Sequence, residues 1–250
     1  MVITEIFPNP TVKQVIFQLR FPNLFFLENK IGDFQMRIMK DYPKSELTYR
    51  RNIVFADLGP KGTFKPLDED IGQKIWEFQS ANESSKVSVS TNALTIISEH
   101  YKTYNLDGAD KFRDAIKSAV DNFLEVMAIP IFARIGLRYI DECPIPAMNN
   151  EQFKSWYNST FPIERFNMSD TTEMLFKTVV RRGTLNLRYI EALQKNEKGY
   201  KLILDFDGFA KDVPSKDFLN IADEMHTLIS AEYEKTIKAP VYEYMRKEVQ

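Results

Sequence analysis

The sequence RIGLRYID, residues 134–141, alternates charged or small residues with large apolar ones. In a β-strand, consecutive side chains point to opposite faces of the sheet. The pattern therefore predicts that Arg134, Gly136 and Arg138 share one face, and that the apolar residues between them share the other. Two guanidinium groups on one face of a strand either recognise an anion or border a solvated sheet. Both interpretations stay open at this point.

Helix patterns lie on both sides of this strand. Residues 105–127 carry a wide apolar stripe at helical spacing, and Pro130 ends that helix just before the strand. Residues 27–38 repeat apolar positions at intervals of four, three and four, which indicates a second amphipathic helix. Ser215 is a good N-cap for a last helix, which Pro240 breaks or kinks.

The remaining apolar segments are short and are separated by turn residues, which is typical of strands joined by hairpins. Gly208 is expected to turn the chain away from the last of these strands. A short helix is expected near residues 151–157. The predicted strands are residues 12–21, 46–58, 74–81, 86–101, 173–181, 184–193 and 200–206.

This order predicts an α+β fold, with mainly antiparallel strands packed against long amphipathic helices. Residues 1–143 would form an N-terminal α+β lobe, 144–172 a connecting segment, and 173–250 a C-terminal β-β-β-α lobe. The two lobes would be related to each other, or would form one continuous domain. No shared sequence motif is strong enough to establish an internal repeat.

Composition limits the class of protein. The 250 residues are 44% hydrophobic and carry a net charge of -2, so no overall basic excess points to nucleic acid, although a local basic patch remains open. The N-terminus lacks a secretory signal, and no segment approaches the roughly 20 apolar residues that span a bilayer. We expect a cytoplasmic protein without a membrane association. One cysteine, Cys143, excludes an intramolecular disulfide bond, and two histidines exclude a histidine-rich zinc site.

Four short motifs occur in order along the chain: NPTVKQV at 9–15, RIGLRYID at 134–141, LDFDGF at 204–209, and a closing helix with MH at 225–226 and EYEKTI at 232–237. Together they resemble a sporadically distributed family of uncharacterised bacterial proteins of similar length. The closing helix departs from the pattern, with EYE where a phenylalanine–glutamate pair is typical and Met225 where leucine is. The resemblance implies no activity, cofactor or catalytic residue. The patchy distribution of the family implies a gene carried on mobile elements, with a role in host–phage conflict.

The arginines are the best candidate site. Planar guanidinium groups bind phosphate or carboxylate through charge-assisted hydrogen bonds. A solvated face with structural ion pairs is the alternative. The candidate ligand-binding residues are Arg134, Arg138, Arg20, Arg181, Arg182 and His100, and Arg50, Arg51 and Arg188 join them if the sheet gathers their strands.

A pair of carboxylates, Asp205 and Asp207, is separated by one residue, so a strand aims both at the same side. They either bind magnesium or belong to a turn that ends the strand, and the turn is the preferred interpretation. No phosphate-binding loop, dinucleotide motif or hydrolase motif occurs, so we expect no cofactor and no metal, and favour a protein without catalytic activity. The preferred function is binding of a macromolecule, with a protein partner or self-association. The alternative is an enzyme or sensor that binds a phosphorylated ligand or nucleic acid through the arginines.

Overall fold

The computed structural model describes residues 5–50, 73–145, 149–196 and 199–248. This part of the chain forms an α+β fold with one nine-stranded antiparallel sheet and five α-helices, which confirms the predicted fold class. The strands are β1 (Val12–Arg20), β2 (Lys44–Arg50), β3 (Gln73–Gln79), β4 (Ser85–Ser90), β5 (Ala93–Ser98), β6 (Ile131–Cys143), β7 (Glu173–Arg182), β8 (Leu185–Asn196) and β9 (Gly199–Pro214). The helices are α1 (Leu27–Ile38), α2 (Phe112–Val126), α3 (Asn150–Trp156), α4 (Phe218–Thr236) and α5 (Ala239–Arg246).

The strands follow the order β2-β3-β4-β5-β1-β6-β9-β8-β7 across the sheet. The two strands with the clearest sequence patterns, β1 and β6, are neighbours near the middle. Their antiparallel register places Phe17 opposite Leu137 and Arg20 opposite Arg134. This pairing brings the predicted arginine strand into the centre of the sheet.

One face of the sheet is covered by the helices and forms the core. Val15, Phe17 and Leu19 of β1 are fully buried on this face. The longest helix, α4, lies against β6 and β9. Gly208 of β9 allows this close approach, because a Cβ atom at that position would lie 3.3 Å from Cδ1 of Ile229. Among the described helices, none combines the length and the apolar composition that crossing a membrane requires.

Two expectations about the strands are wrong. Residues 86–101 form the hairpin β4–β5 instead of one strand, and the turn at Thr91 and Asn92 contains neither glycine nor proline to signal it. Gly208 does not turn the chain, since β9 continues to Pro214. Of the predicted strand 46–58, the part after residue 50 lies outside the described residues. The division of the chain at residues 144–172 stays a prediction.

Candidate functional site

The face of the sheet opposite the helices forms a wide trough with a volume of about 930 Å³. Eight of the nine strands contribute described residues to its lining, from β3 on one side to β7 on the other. Six of the lining side chains are basic and two are acidic, although the whole chain carries a net charge of -2. The basic residues are Arg20, Lys86, Arg134, Arg138, Lys177 and Arg188.

Three arginines meet at the floor of the trough, and we refer to Arg134, Arg138 and Arg188 as the arginine cluster. Arg138 of β6 donates two parallel hydrogen bonds, both of 2.7 Å, from Nε and Nη2 to the carboxylate of Asp205 of β9. This fork fixes both the position and the orientation of the guanidinium plane. The same hydrogen bonds raise the pKa of Arg138 above its ordinary value, so this group stays charged.

Asp207 is shared by the other two arginines of the cluster. Nη2 of Arg134 donates to both carboxylate oxygens, at 2.9 and 3.0 Å. Nη2 of Arg188 lies 2.8 Å from Oδ2 of the same carboxylate. Three guanidinium groups therefore face two carboxylates, which leaves the cluster with one excess positive charge.

Gly136 and Phe209 hold the Arg134 side chain flat against the sheet. A Cβ atom at Gly136 would lie 2.9 Å from Cζ of Arg134, so the guanidinium group occupies the space that a side chain would need. The same group lies over the Phe209 ring, with Cζ 4.8 Å from the centroid. The glycine between the two arginines is therefore part of the site, because it lets Arg134 reach along the strand to Asp207.

The acidic side chains of the cluster are more deeply buried than the arginine side chains. Both carboxylate side chains are only 7% exposed, whereas the three arginine side chains are 22–35% exposed. The carboxylates thus lie beneath the guanidinium groups and fix their positions. The guanidinium groups still present N–H groups to the trough. Nε of Arg188 is buried and donates to no described residue. Guanidinium groups that are held in place by carboxylates lose little conformational entropy when they bind an anion.

The other predicted site residues are only partly brought together. Arg20 lines the trough beside Arg134, and its Nε donates to Gln18 at 2.8 Å. Arg181 lies near the β7–β8 turn and donates to the carbonyl oxygen of Gly183. Arg182 is its neighbour on the strand and points to the helical face, where its Nε lies 3.8 Å from Glu232 of α4. His100 is exposed in the bend after β5 and does not line the trough.

Arg181, Arg182 and His100 do not line the trough and therefore leave the candidate site, and three other basic residues enter it. Arg188 joins because β8 pairs with β9 and places it opposite Asp207. Lys177 and Lys86 line the trough as well, the latter 3.1 Å from Glu77. Arg51 and the side chain of Arg50 lie outside the described residues.

The prediction that Asp205 and Asp207 share one side of a strand is confirmed, but their assignment to a strand-ending turn is wrong. Both lie inside β9, and arginines occupy their oxygens. No group of three or more histidine, cysteine, aspartate or glutamate residues suited to a metal gathers in the described part of the chain. These two carboxylates are therefore positioning residues for the arginines.

Comparison of the sequence with protein-family models and with curated proteins finds no match. The chemistry of the trough must therefore be inferred from its own geometry and charge. What that geometry offers is an open, positively charged surface with fixed hydrogen-bond donors.

The role of Gly136 gives the first testable prediction. Gly136→Ala is expected to change the free energy of unfolding by less than about 1 kcal/mol, because alanine suits a strand and the long Arg134 side chain can move away. The guanidinium group loses its place over the backbone, and affinity for a polyanion such as heparin is expected to fall about fivefold. Urea unfolding and fluorescence anisotropy measure the two effects.

The matched control for this substitution is Gly32→Ala on α1. A Cβ atom there meets nothing within 4 Å, so only the helix is affected. Unchanged affinity for the polyanion is expected for this control. Equal polyanion affinities of wild type and Gly136→Ala would contradict the role given to Arg134.

Proposed function

We propose that the protein is a non-catalytic binding protein whose trough holds nucleic acid. The observation that supports this most is the gathering of six basic and two acidic side chains in the trough of a chain with a net charge of -2. A concave surface of one charge sign concentrates the electrostatic potential and attracts a polyanion. This proposal keeps the predicted binding of a macromolecule but names nucleic acid as the partner, in place of a protein partner or self-association.

The extent of the trough favours a polymer over a small ligand. Its lining runs across seven strand intervals, from β3 to β7, which is about 34 Å along the sheet at the usual strand spacing. The basic residues are spread over this distance, with Lys86 on β4 and Lys177 on β7. Small-molecule sites are usually more enclosed and bury most of the ligand.

The side chains of the trough favour contacts with a phosphate backbone. Phe209 is the one aromatic residue among its described lining residues, and Arg134 lies over it. Binding of single strands usually relies on several aromatic rings on which bases stack. Arginine, lysine, serine, threonine and glutamine make up half of the lining residues, and side chains of these types make many of the contacts between proteins and the phosphate and sugar groups. We therefore expect duplex to bind more tightly than single strands.

The arginine cluster alone supports a second candidate function. Three guanidinium groups around two carboxylates form a compact site that suits a phosphorylated small molecule, as an enzyme or sensor would use it. A mononucleotide that displaces labelled duplex at micromolar concentration would favour this alternative.

We also propose that the two lobes are related, which would make the trough a pair of similar halves. The element order supports this, because a run of antiparallel strands leads into a long helix in each lobe, β3, β4 and β5 into α2 and β7, β8 and β9 into α4. A cytoplasmic location, membership of the bacterial family and a role in host–phage conflict are parts of the same proposal. Nucleic acid is the common material of such conflict.

The proposal is tested by neutralising two basic residues of the trough that lie outside the arginine cluster. Arg20 and Lys177 line the trough, and neither forms an ion pair with a described residue. The double variant Arg20→Gln, Lys177→Gln is expected to bind duplex DNA about tenfold more weakly, since two phosphate contacts are lost. Anisotropy of a labelled duplex at moderate salt gives the dissociation constants.

The control removes the same charge elsewhere. Lys40 and Lys216 are exposed and do not line the trough, so their double glutamine variant is expected to keep most of the wild-type affinity. An equal loss of affinity in both double variants would indicate a general charge effect. That result would contradict binding in the trough.

A further inference from the structure

A second cavity, of about 350 Å³, lies on the helical side of the sheet. We call it the aromatic pocket. Its walls come from β6 and β9, from α4 and α5, and from two segments that close it, residues 5–12 and 101–106. The sheet separates it from the trough, so the two sites are independent.

Seven of the 21 residues that line this pocket carry aromatic rings. The Tyr104 ring stacks on the imidazole of His226, with centroids 4.1 Å apart. Tyr101 meets Tyr139 edge to face at 5.5 Å. The aromatic residues that line the pocket are Phe7, Tyr101, Tyr104, Tyr139, Phe206, His226 and Tyr233. Their π faces carry partial negative charge, which attracts cations.

Asp141 offers a buried carboxyl group that forms no ion pair with a described residue, and a cation beside it would favour its ionised form. This residue of β6 lines the pocket and is only 4% exposed. Its Oδ1 accepts a hydrogen bond of 2.8 Å from Thr11, whose hydroxyl also lies 2.6 Å from that of Tyr233. Its Oδ2 accepts no hydrogen bond from a described residue. A buried carboxylate is stabilised when a cation reaches it.

The other charged groups at the pocket are already paired or lie at its rim. Asp223 holds Arg113 through two hydrogen bonds of 2.8 Å, and Glu5 pairs with Arg246. Lys102 is exposed. Burial lowers the pKa of His226 to about 4, so the imidazole is neutral at neutral pH and does not repel a cation.

We propose that the aromatic pocket binds a small organic cation, with an ammonium group held between the aromatic faces and Asp141. The volume of about 350 Å³ lies at the lower end of the range for ligand sites, which suits a compact amine or quaternary ammonium ion. The tyrosine hydroxyls and Ser230 offer hydrogen bonds to a polar substituent of such a ligand. Nothing in this proposal depends on the occupant of the trough.

The test compares a cation with a neutral molecule of the same shape. Choline, tetramethylammonium and butylammonium chloride are titrated into the wild-type protein by calorimetry, together with the neutral carbon analogue of choline, in which carbon replaces nitrogen. At least one of the three cations is expected to bind. Choline is expected to bind at least about tenfold more tightly than its carbon analogue, since cation–π attraction in a desolvated site exceeds about 1.4 kcal/mol.

The Asp141→Asn variant then locates the binding. It is expected to lower the ratio of the two affinities at least about threefold, because the carboxylate charge is lost while the aromatic rings remain. Asp212→Asn, at an exposed position of β9, is expected to leave the ratio unchanged. Absence of heat from all three cations at millimolar concentration would overturn the proposal, as would equal affinity for choline and its carbon analogue. Both results are obtained with the wild-type protein and do not depend on the folding of a variant.

Discussion

Asp207→Asn is expected to lower the free energy of unfolding by about 2–4 kcal/mol, because it removes the carboxylate that two arginines share. The asparagine keeps the size of the side chain but leaves Arg134 and Arg188 facing each other without a counter-charge. Removing one partner of a fully buried ion pair usually costs about 3–5 kcal/mol. The partial exposure of both arginines reduces this figure, since water can hydrate them.

Urea unfolding of the variant beside two controls measures the effect. Asp205→Asn is expected to cost less, because Asp205 pairs with Arg138 alone. Asp212→Asn is expected to change stability by less than about 0.5 kcal/mol, since this exposed residue has a φ of 53°, which asparagine also adopts readily. A loss below about 0.5 kcal/mol for Asp207→Asn would show that the carboxylate does not hold the cluster together.

The second large effect concerns the pH dependence of stability through Asp141. Burial is the main cause that raises the pKa of this carboxyl to about 7, and the hydrogen bond from Thr11 opposes it. The unfolded chain ionises Asp141 near pH 4, whereas the folded protein keeps it protonated up to about pH 7. The contribution of Asp141 to the free energy of unfolding is therefore fully present below pH 4 and is lost as the pH rises towards 7. A difference of about three pKa units corresponds to roughly 4 kcal/mol.

Asp141→Asn removes this dependence and keeps an oxygen that can accept the hydrogen bond from Thr11. The variant is therefore expected to gain about 2–4 kcal/mol relative to wild type between pH 4 and pH 8. His226 acts in the opposite direction, since burial lowers its pKa to about 4 and its contribution is lost as the pH falls from about 6.5 to 4. This histidine is present in both proteins, so the difference between them isolates Asp141. Parallel pH profiles of the two proteins would refute the assignment.

The alternation along β6 could be predicted from the sequence, and so could the shared face of Asp205 and Asp207. The pairing that joins them could not. β6 and β9 lie about seventy residues apart in the chain, and Arg138 bonds Asp205 across that interval. Local patterns define the faces of a strand but not its neighbours. The sequence alone therefore gives no reason to connect the arginines with the carboxylates.

The positions of Arg182 and His100 could not be predicted from local sequence patterns either. Arg181 and Arg182 are consecutive, so only one of them can face the trough, and the face is decided by how β7 pairs with β8. His100 follows the end of β5, and only the chemistry of its imidazole makes it a candidate in the sequence. The aromatic pocket is assembled from residues 5–12, 101–106, 139–141 and parts of α4 and α5, which no short motif connects.

The central claim is that the trough binds duplex nucleic acid through its basic residues, and the salt dependence of binding tests it most directly. Each phosphate that a protein neutralises changes the slope of log K against log salt concentration by about -0.9. The three excess positive charges of the trough, with Asp205 counted beside Arg138, predict a slope of about -2 to -4 for wild type, and a slope shallower by about two for Arg20→Gln, Lys177→Gln. No binding of duplex at low salt, or the same slope for both proteins, would contradict the account.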